Sequence, residues 1–227
     1  MSNRIQDLIG QLASDAVSVH AAAAGQLLRS GAAAAVALSR VCNTPSAFSR
    51  RAAATLVGIG RVAVEPLIAV LKTGDRDAQV QAITGLRLLN EPSSLPSLLE
   101  ALESPYSEVR KAAIGGLWML RDRKAVGPLI RHLKDDDIEV AAAAAGALGW
   151  IEDRQAVAPL LLALENRNWR LRQAAAYALG SIGDDDTLDA VRRHLFDPKP
   201  QVRKAVKCGL ARFHQRNRNF RSQRRVD

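Results

Sequence analysis

VRKAAIGGLWMLRDRKAVGPLIRHLKDDDIE, residues 109–139, is followed by VAAAAAGALGWIEDRQAVAPLLLALENRNWR (140–170) and LRQAAAYALGSIGDDDTLDAVRRHLFDPKPQ (171–201). Aligned in rows of 31, Val109, Val140, Leu171 and Val202 share one column. Leu117, Leu148 and Leu179 share another, and Leu133, Leu164 and Leu195 a third. Each row holds two apolar runs of helical period separated by a turn. One such helical pair cannot bury its apolar stripe alone and must pack against its neighbours, so the period predicts an all-α solenoid.

Working outward, Ile5, Leu8, Ile9 and Leu12 fall on one helical face of residues 3–13, which suits a helix capping the first repeat. Repeats are expected at about 15–45, 46–76, 77–106, 107–137, 138–168 and 169–199, giving about six helical hairpins. A closing helix follows at 200–213. The third repeat reads as two residues shorter, because Val80 precedes Val109 by 29. Residues 1–213 form one solenoid domain in this reading, and 214–227 a basic, flexible C-terminal tail. Pro66, Pro128 and Pro159 each precede an apolar run, a placement suited to a first helical turn. Gly58, Gly149 and Gly180 are expected to end first helices, and Asp135–Asp137 and Asp184–Asp186 to cap helix starts. The Ala-rich run 21–38 is interrupted at Gly31 and reads as two helices joined by a turn, not as a membrane span.

Apolar residues make up 48% of the 227 residues but aromatics only 4%, so the core must be built from Ala, Leu, Val and Ile. The net charge of +9 is localised. Residues 199–227 hold ten Lys and Arg against Asp227 alone, and residues 1–198 are formally neutral. Cys42 and Cys208 both occupy apolar positions and read as buried free thiols, compatible with a reducing compartment. The first twenty residues contain no apolar signal segment. A cytoplasmic location is expected.

The segments VRKAA at Val109–Ala113, ALGWIEDRQAVAPLLLAL at Ala147–Leu164 and LRQAAAYALGSIGD at Leu171–Asp184 resemble HEAT repeats of the short type first named from phycobilisome lyases. The resemblance implies a right-handed α-α superhelix. Proteins of this shape include scaffolds, transport adaptors, bilin lyase subunits, DNA glycosylases and a metal-dependent hydroxylase, so it names no reaction. The hydroxylases bind iron through His-Glu pairs. Here His20, His132, His194 and His214 are followed by Ala21, Leu133, Leu195 and Gln215, which lack the pattern. The glycosylases have longer, less regular repeats than these.

No Gly-x-Ser-x-Gly, Cys-His or phosphate-binding Gly motif is present, and no catalytic residue, metal ligand or cofactor is assigned. Trp118 and Trp150 are expected to pack between repeats, Trp118 in space left by Gly115 and Gly116. Trp169 lies in a turn among basic residues, and partner contact and local packing both fit it. In arrays of this type the second helices line the concave face. That face would carry Lys72, Arg131, His132, Lys134, Arg192, Arg193 and His194, opposed by Glu100 and Glu165, and would suit an acidic or amphipathic segment of a protein partner. In the tail, Arg212, Arg216, Arg218, Arg221, Arg224 and Arg225 fit either nucleic-acid binding or solubilisation. The expected function is a non-catalytic scaffold or adaptor holding a partner protein along the concave face. The alternatives are a bilin lyase or isomerase-like subunit acting on a bilin chromophore protein, and nucleic-acid binding through the tail.

Overall fold

The computed structural model describes residues 2–41 and 47–223. The described elements are helical, and they divide into two compact units, Met1–Leu120 and Arg121–Asp227. The first unit contains α1 (Ser2–Leu12), α2 (Val17–Val41), α3 (Ala47–Ile59), α4 (Val64–Thr73), α5 (Arg76–Leu89), α6 (Leu95–Ala101) and α7 (Ser107–Leu120). The second contains α8 (Val126–His132), α9 (Ile138–Ile151), α10 (Val157–Leu164), α11 (Trp169–Ile182), α12 (Leu188–Arg193) and α13 (Pro200–Gln223). A 3-10 turn precedes α4, α6, α8, α10 and α12. Gly31 breaks α2 with φ 54° and ψ −128°, the turn expected there.

The 31-residue column governs burial. Leu67, Leu98, Leu129, Leu160 and Val191 occupy one position on successive second helices, and all are at most 3% exposed. Ala63, Ser94, Ala125, Ala156 and Thr187 close the 3-10 turns at the same interval and are likewise buried. The third repeat is not two residues short. Ala78, 31 residues before Val109, is the buried residue at the start of α5, whereas Val80 is half-buried. A small alanine fills the slot that valine or leucine fills in the later repeats, so the column is kept and only its side chain changes.

Three kinds of polar contact repeat with the helices. Asp122, Asp153 and Asp184 each accept from the backbone N–H two residues on, capping the 3-10 turns. Arg123 also reaches Asp153 at 3.5 Å, and Arg154 reaches Asp184 at 2.8 Å. The arginines are exposed while their aspartate partners are largely covered, so each pair is screened on one side and stabilises modestly. Arg110, Arg172 and Arg203 each donate from Nη1 to the two carbonyls five and six residues back, at 2.7–3.3 Å. Those carbonyls lie in the turns between repeats and have no intrahelical donors, so the arginines satisfy them.

Helix ends and glycines differ from the sequence expectation. The residues in left-handed conformation after the first helices are Asn90, Arg121, Glu152 and Gly183, with φ of 49°, 52°, 58° and 70°. They stand 31 residues apart, and one of the four is glycine. Gly149 and Gly180 lie inside their helices, where they permit close approach of the next helix. A Cβ on Gly149 would sit 2.6 Å from Ala178 Cα, and one on Gly180 would sit 2.2 Å from Gly209 Cα. Gly116 makes room for Leu98, not for the ring of Trp118. The last helix continues to Gln223, ten residues beyond the expected boundary at Phe213. After Gly209 it meets neither Gly nor Pro, and its Arg and Gln residues propagate a helix well.

Candidate functional site

In the second unit the first helices of successive repeats, α9, α11 and α13, form one layer, and the second helices α8, α10 and α12 form the other. An open groove of about 640 Å3 runs across the first-helix layer. Its floor is small: Ala142 and Gly146 from α9, Ala174 from α11 and Ala205 from α13. Its walls are large and polar or aromatic: Glu139, Trp169, Arg170, Gln173, Tyr177, Gln201, Lys204 and Cys208. On α11 the spacing 170, 173, 174, 177 puts these side chains on one helical face.

Each groove aromatic carries an arginine. Arg170 stacks 4.9 Å from the Trp169 ring centre, and Arg212 stacks 4.3 Å from that of Tyr177. Arg170 is also paired with Glu139 at 3.0 Å, and Arg212 donates to Ser181 Oγ at 3.2 Å. One turn beyond Gly146 on α9, Trp150 is 40% exposed with Arg121 at 5.3 Å from its ring. Trp150 is therefore partly exposed, facing away from the buried Leu148, with its ring against Arg121 of the preceding repeat. Cys208 is also exposed, not buried. Its buried neighbours Val206 and Gly209 turn it toward the groove. Cys42 lies outside the described residues.

The structure brings Trp169 into this groove and distributes the other expected contact residues elsewhere. Arg131, Lys134, Arg192 and Arg193 are exposed on the second-helix layer of the second unit. Lys72 belongs to the first unit, beside a cavity of about 560 Å3 that also meets Gln79, Glu100 and Tyr106. The two histidines are held at helix ends: the His132 side chain, on the last residue of α8, is 12% exposed with Nδ1 3.2 Å from Asp135, and that of His194, just after α12, is 13% exposed with Nε2 3.2 Å from Glu165. Arg212 meets the groove through Tyr177. Arg216, Arg218 and Arg221 fall on α13, and Arg224 and Arg225 lie outside the described residues. Sequence reasoning missed Arg170, Gln173, Tyr177 and Lys204. Their signal was available as the helical spacing of polar and aromatic residues along α11.

The firmest electrostatic feature lies at the turn between α12 and α13. Asp197, with a side chain 3% exposed, accepts two bonds from Arg172 at 2.8 and 3.0 Å. It also accepts from the Lys199 N–H at 2.8 Å. These bonds, chiefly that of Arg172, hold its carboxyl below the usual carboxylate range against the opposing effect of burial. Asp184 is lowered in the same sense by Arg154. Both are joints between repeats and stand apart from the groove. Among the described residues no three His, Cys, Asp or Glu side chains cluster as metal ligands would, and no helix is long and apolar enough to cross a membrane.

These helical pairs, their 31-residue column and their ladder of caps define an α-solenoid class. The chain belongs to the HEAT-repeat family, whose description, HEAT repeats, matches residues 64–138 and 128–211. No curated protein matches it significantly. Among solved structures it is similar to an engineered protein from a structural genomics programme, at 20% identity and TM-score 0.57, covering 93% of this chain and 97% of that one. It is also similar to a designed armadillo repeat protein in complex with the peptide (KR)4, at 18% identity and TM-score 0.57, covering 92% and 99%. A third likeness is to the complex of CpcE and CpcF of phycocyanin lyase from Nostoc sp. PCC7120, at 20% identity and TM-score 0.50, covering 91% and 94%. At these identities the likenesses establish the fold.

Proposed function

We propose that this protein is a non-catalytic adaptor that holds a segment of a partner protein in the groove of its second unit. One observation carries the reading: a small-residue floor between three helices, walled by Trp169 and Tyr177 under Arg170 and Arg212. Aromatic and arginine side chains of this kind are the usual energetic centres of protein interfaces. Lys204 and Arg212 give the groove positive charge beyond the paired Arg170, so the bound segment is acidic. The designed armadillo protein that holds (KR)4 supports peptide binding as a use of this fold, with the opposite charge. The CpcE–CpcF complex supports protein pairing as another, and the bilin lyase-like alternative rests on that likeness of fold alone.

A photoreactive benzophenone side chain at Gln173 tests the proposal in native lysate. A discrete protein adduct that disappears in the Trp169→Ala, Tyr177→Ala double variant is the expected result. Adducts unaffected by that pair of substitutions would overturn the groove as the binding site. Nucleic-acid binding is the second reading, favoured by the helical continuation of α13, which carries Lys204, Lys207, Arg212, Arg216, Arg218 and Arg221. It predicts affinity for an oligonucleotide that falls steeply with salt.

A further inference from the structure

One joint of the first unit is built differently from its counterpart in the second. In the second unit Arg172 fills the joint, its fork on the buried Asp197 and His194 beside that carboxylate at 3.7 Å. Three periods of 31 earlier, the same positions hold Gln79, Ser104 and Ala101. Smaller, uncharged residues thus stand where the second unit has arginine, aspartate and histidine. Ser104 keeps the cap, its Oγ accepting from the Tyr106 N–H at 3.3 Å, but presents no carboxylate. A cavity of about 560 Å3 opens at this joint. Gln79 stands in its wall, with Nε2 donating to the Leu71 carbonyl at 3.0 Å and Oε1 buried without a partner. Turning the amide over would set its oxygen against that carbonyl, so the unmet group is an acceptor. A buried acceptor left open is costly until a donor reaches it.

We propose that this cavity binds a guanidinium group from outside the chain, in the place that Arg172 fills from within the chain in the second unit. One guanidinium N–H donates to Gln79 Oε1. Glu100 and Glu103, both on the cavity wall, supply the negative charge that Asp197 supplies to Arg172. Lys72 is the one opposing cation among the lining residues, and its exposed, flexible stem lets the ammonium stay in solvent. Tyr106, 47% exposed, adds an aromatic face. The rings of Trp150, Trp169 and Tyr177 each hold an arginine at 4.3–5.3 Å, whereas Tyr106 holds none among the described residues. An anionic ligand would meet two carboxylates, and an aliphatic ammonium lacks the flat fork that can serve a carbonyl oxygen and a ring together. The proposal goes beyond the groove reading and does not depend on it.

The test titrates the nitrogen-labelled full chain with a capped Gly-Arg-Gly tripeptide, followed by NMR at the Gln79 side-chain amide and the Tyr106 backbone amide. Saturable shifts are expected, with a dissociation constant on the order of a millimolar. The same tripeptide with citrulline, which keeps the shape and lacks the charge, should bind roughly tenfold more weakly or worse. Free arginine is the second arm: equal binding assigns the site to a small guanidinium compound, and binding of the tripeptide alone assigns it to an arginine of a protein segment. Gln79→Arg with Ser104→Asp rebuilds the pair of the second unit. This variant should be at least as stable by urea midpoint and should lose binding, because the chain's own guanidinium then occupies the cavity. Gln79→Leu gives a second route to the loss if the double variant folds poorly, and Trp169→Ala should leave binding unchanged. The absence of saturable shifts with either arginine probe, equal binding of the citrulline tripeptide, or undiminished binding in the folded Gln79 variants would overturn the proposal.

Discussion

Replacing Gly180 by alanine adds one methyl group and should be among the most damaging small changes available to the second unit. The new Cβ would lie 2.2 Å from Gly209 Cα, 2.6 Å from its carbonyl carbon and 2.7 Å from its oxygen. Ordinary contact begins near 3.4 Å, so the methyl falls more than an ångström inside it, against backbone that no rotamer change can move. Helices α11 and α13 must separate at that point. Overpacking typically costs about 1–3 kcal/mol, and a backbone-on-backbone clash belongs at the upper end, about 3 kcal/mol. With a urea dependence of about 2 kcal/mol/M, the unfolding midpoint should fall by roughly 1.5 M. Gly146→Ala supplies the control. It is also a glycine within a first helix, but its Cβ would meet nothing within 4 Å. Helix propensity then governs, and a gain of about 0.5–1 kcal/mol is expected. Midpoints read from helical ellipticity decide the matter. Equal stability of Gly180→Ala and the parent, or a loss in Gly146→Ala, would refute close packing of the first helices.

Three further outcomes follow from the joints between repeats and the groove. Arg172→Ala should cost about 3 kcal/mol near neutral pH, because it leaves the buried Asp197 carboxylate without its guanidinium. Since the folded pKa of Asp197 is lowered, its contribution is present above its unfolded value of about 3.9 and is lost as pH falls through the folded value. Urea midpoints between pH 2 and pH 7 should therefore drop on the acid side in the parent and drop less in Arg172→Ala. Gly183→Ala, at φ 70°, should cost about 1 kcal/mol by forcing a Cβ into left-handed backbone, readable as a lower melting temperature. Trp169→Ala should weaken the partner captured through Gln173 by about 2 kcal/mol, roughly thirtyfold, without changing the urea midpoint.

The repeat was legible because a solenoid writes its core into a column, and Leu117, Leu148 and Leu179 stand in one and are all buried. What the column obscured were places where its residue type changes and its geometry does not. Ala78 holds the valine slot of the third repeat, and the more valine-like Val80 drew the register two residues away. Asn90, Arg121 and Glu152 hold a left-handed cap that is recognisable only where Gly183 supplies it, because nothing in an arginine or glutamate side chain advertises positive φ. The groove was missed for a different reason. Which helix layer carries it is a question of separation between helices, set by the pairs Gly149–Ala178 and Gly180–Gly209. Those glycines were visible but were read as helix ends. Of the eight expected contact residues on the second helices and turns, Trp169 enters the groove, because it begins α11 on the same face as Gln173 and Tyr177.

The close pairs and the groove are two parts of one geometry. Contact at 149 with 178 and at 180 with 209 pins α9 and α11 toward their C-terminal ends and α13 in its N-terminal half, while the groove residues 139–146, 169–177 and 201–208 lie on the preceding turns. Pinning at one end with alanine and glycine between the helices at the other leaves a cleft whose walls are set by helix backbone. A cleft made this way is already shaped before a partner arrives, so little of the binding energy is lost in ordering it. It also ties recognition to packing. Gly180→Ala should change groove width and stability together, whereas Trp169→Ala should change affinity alone. Affinity that survives Gly180→Ala intact would mean that the partner reads Trp169 and its neighbours as separate side chains and not as a cleft.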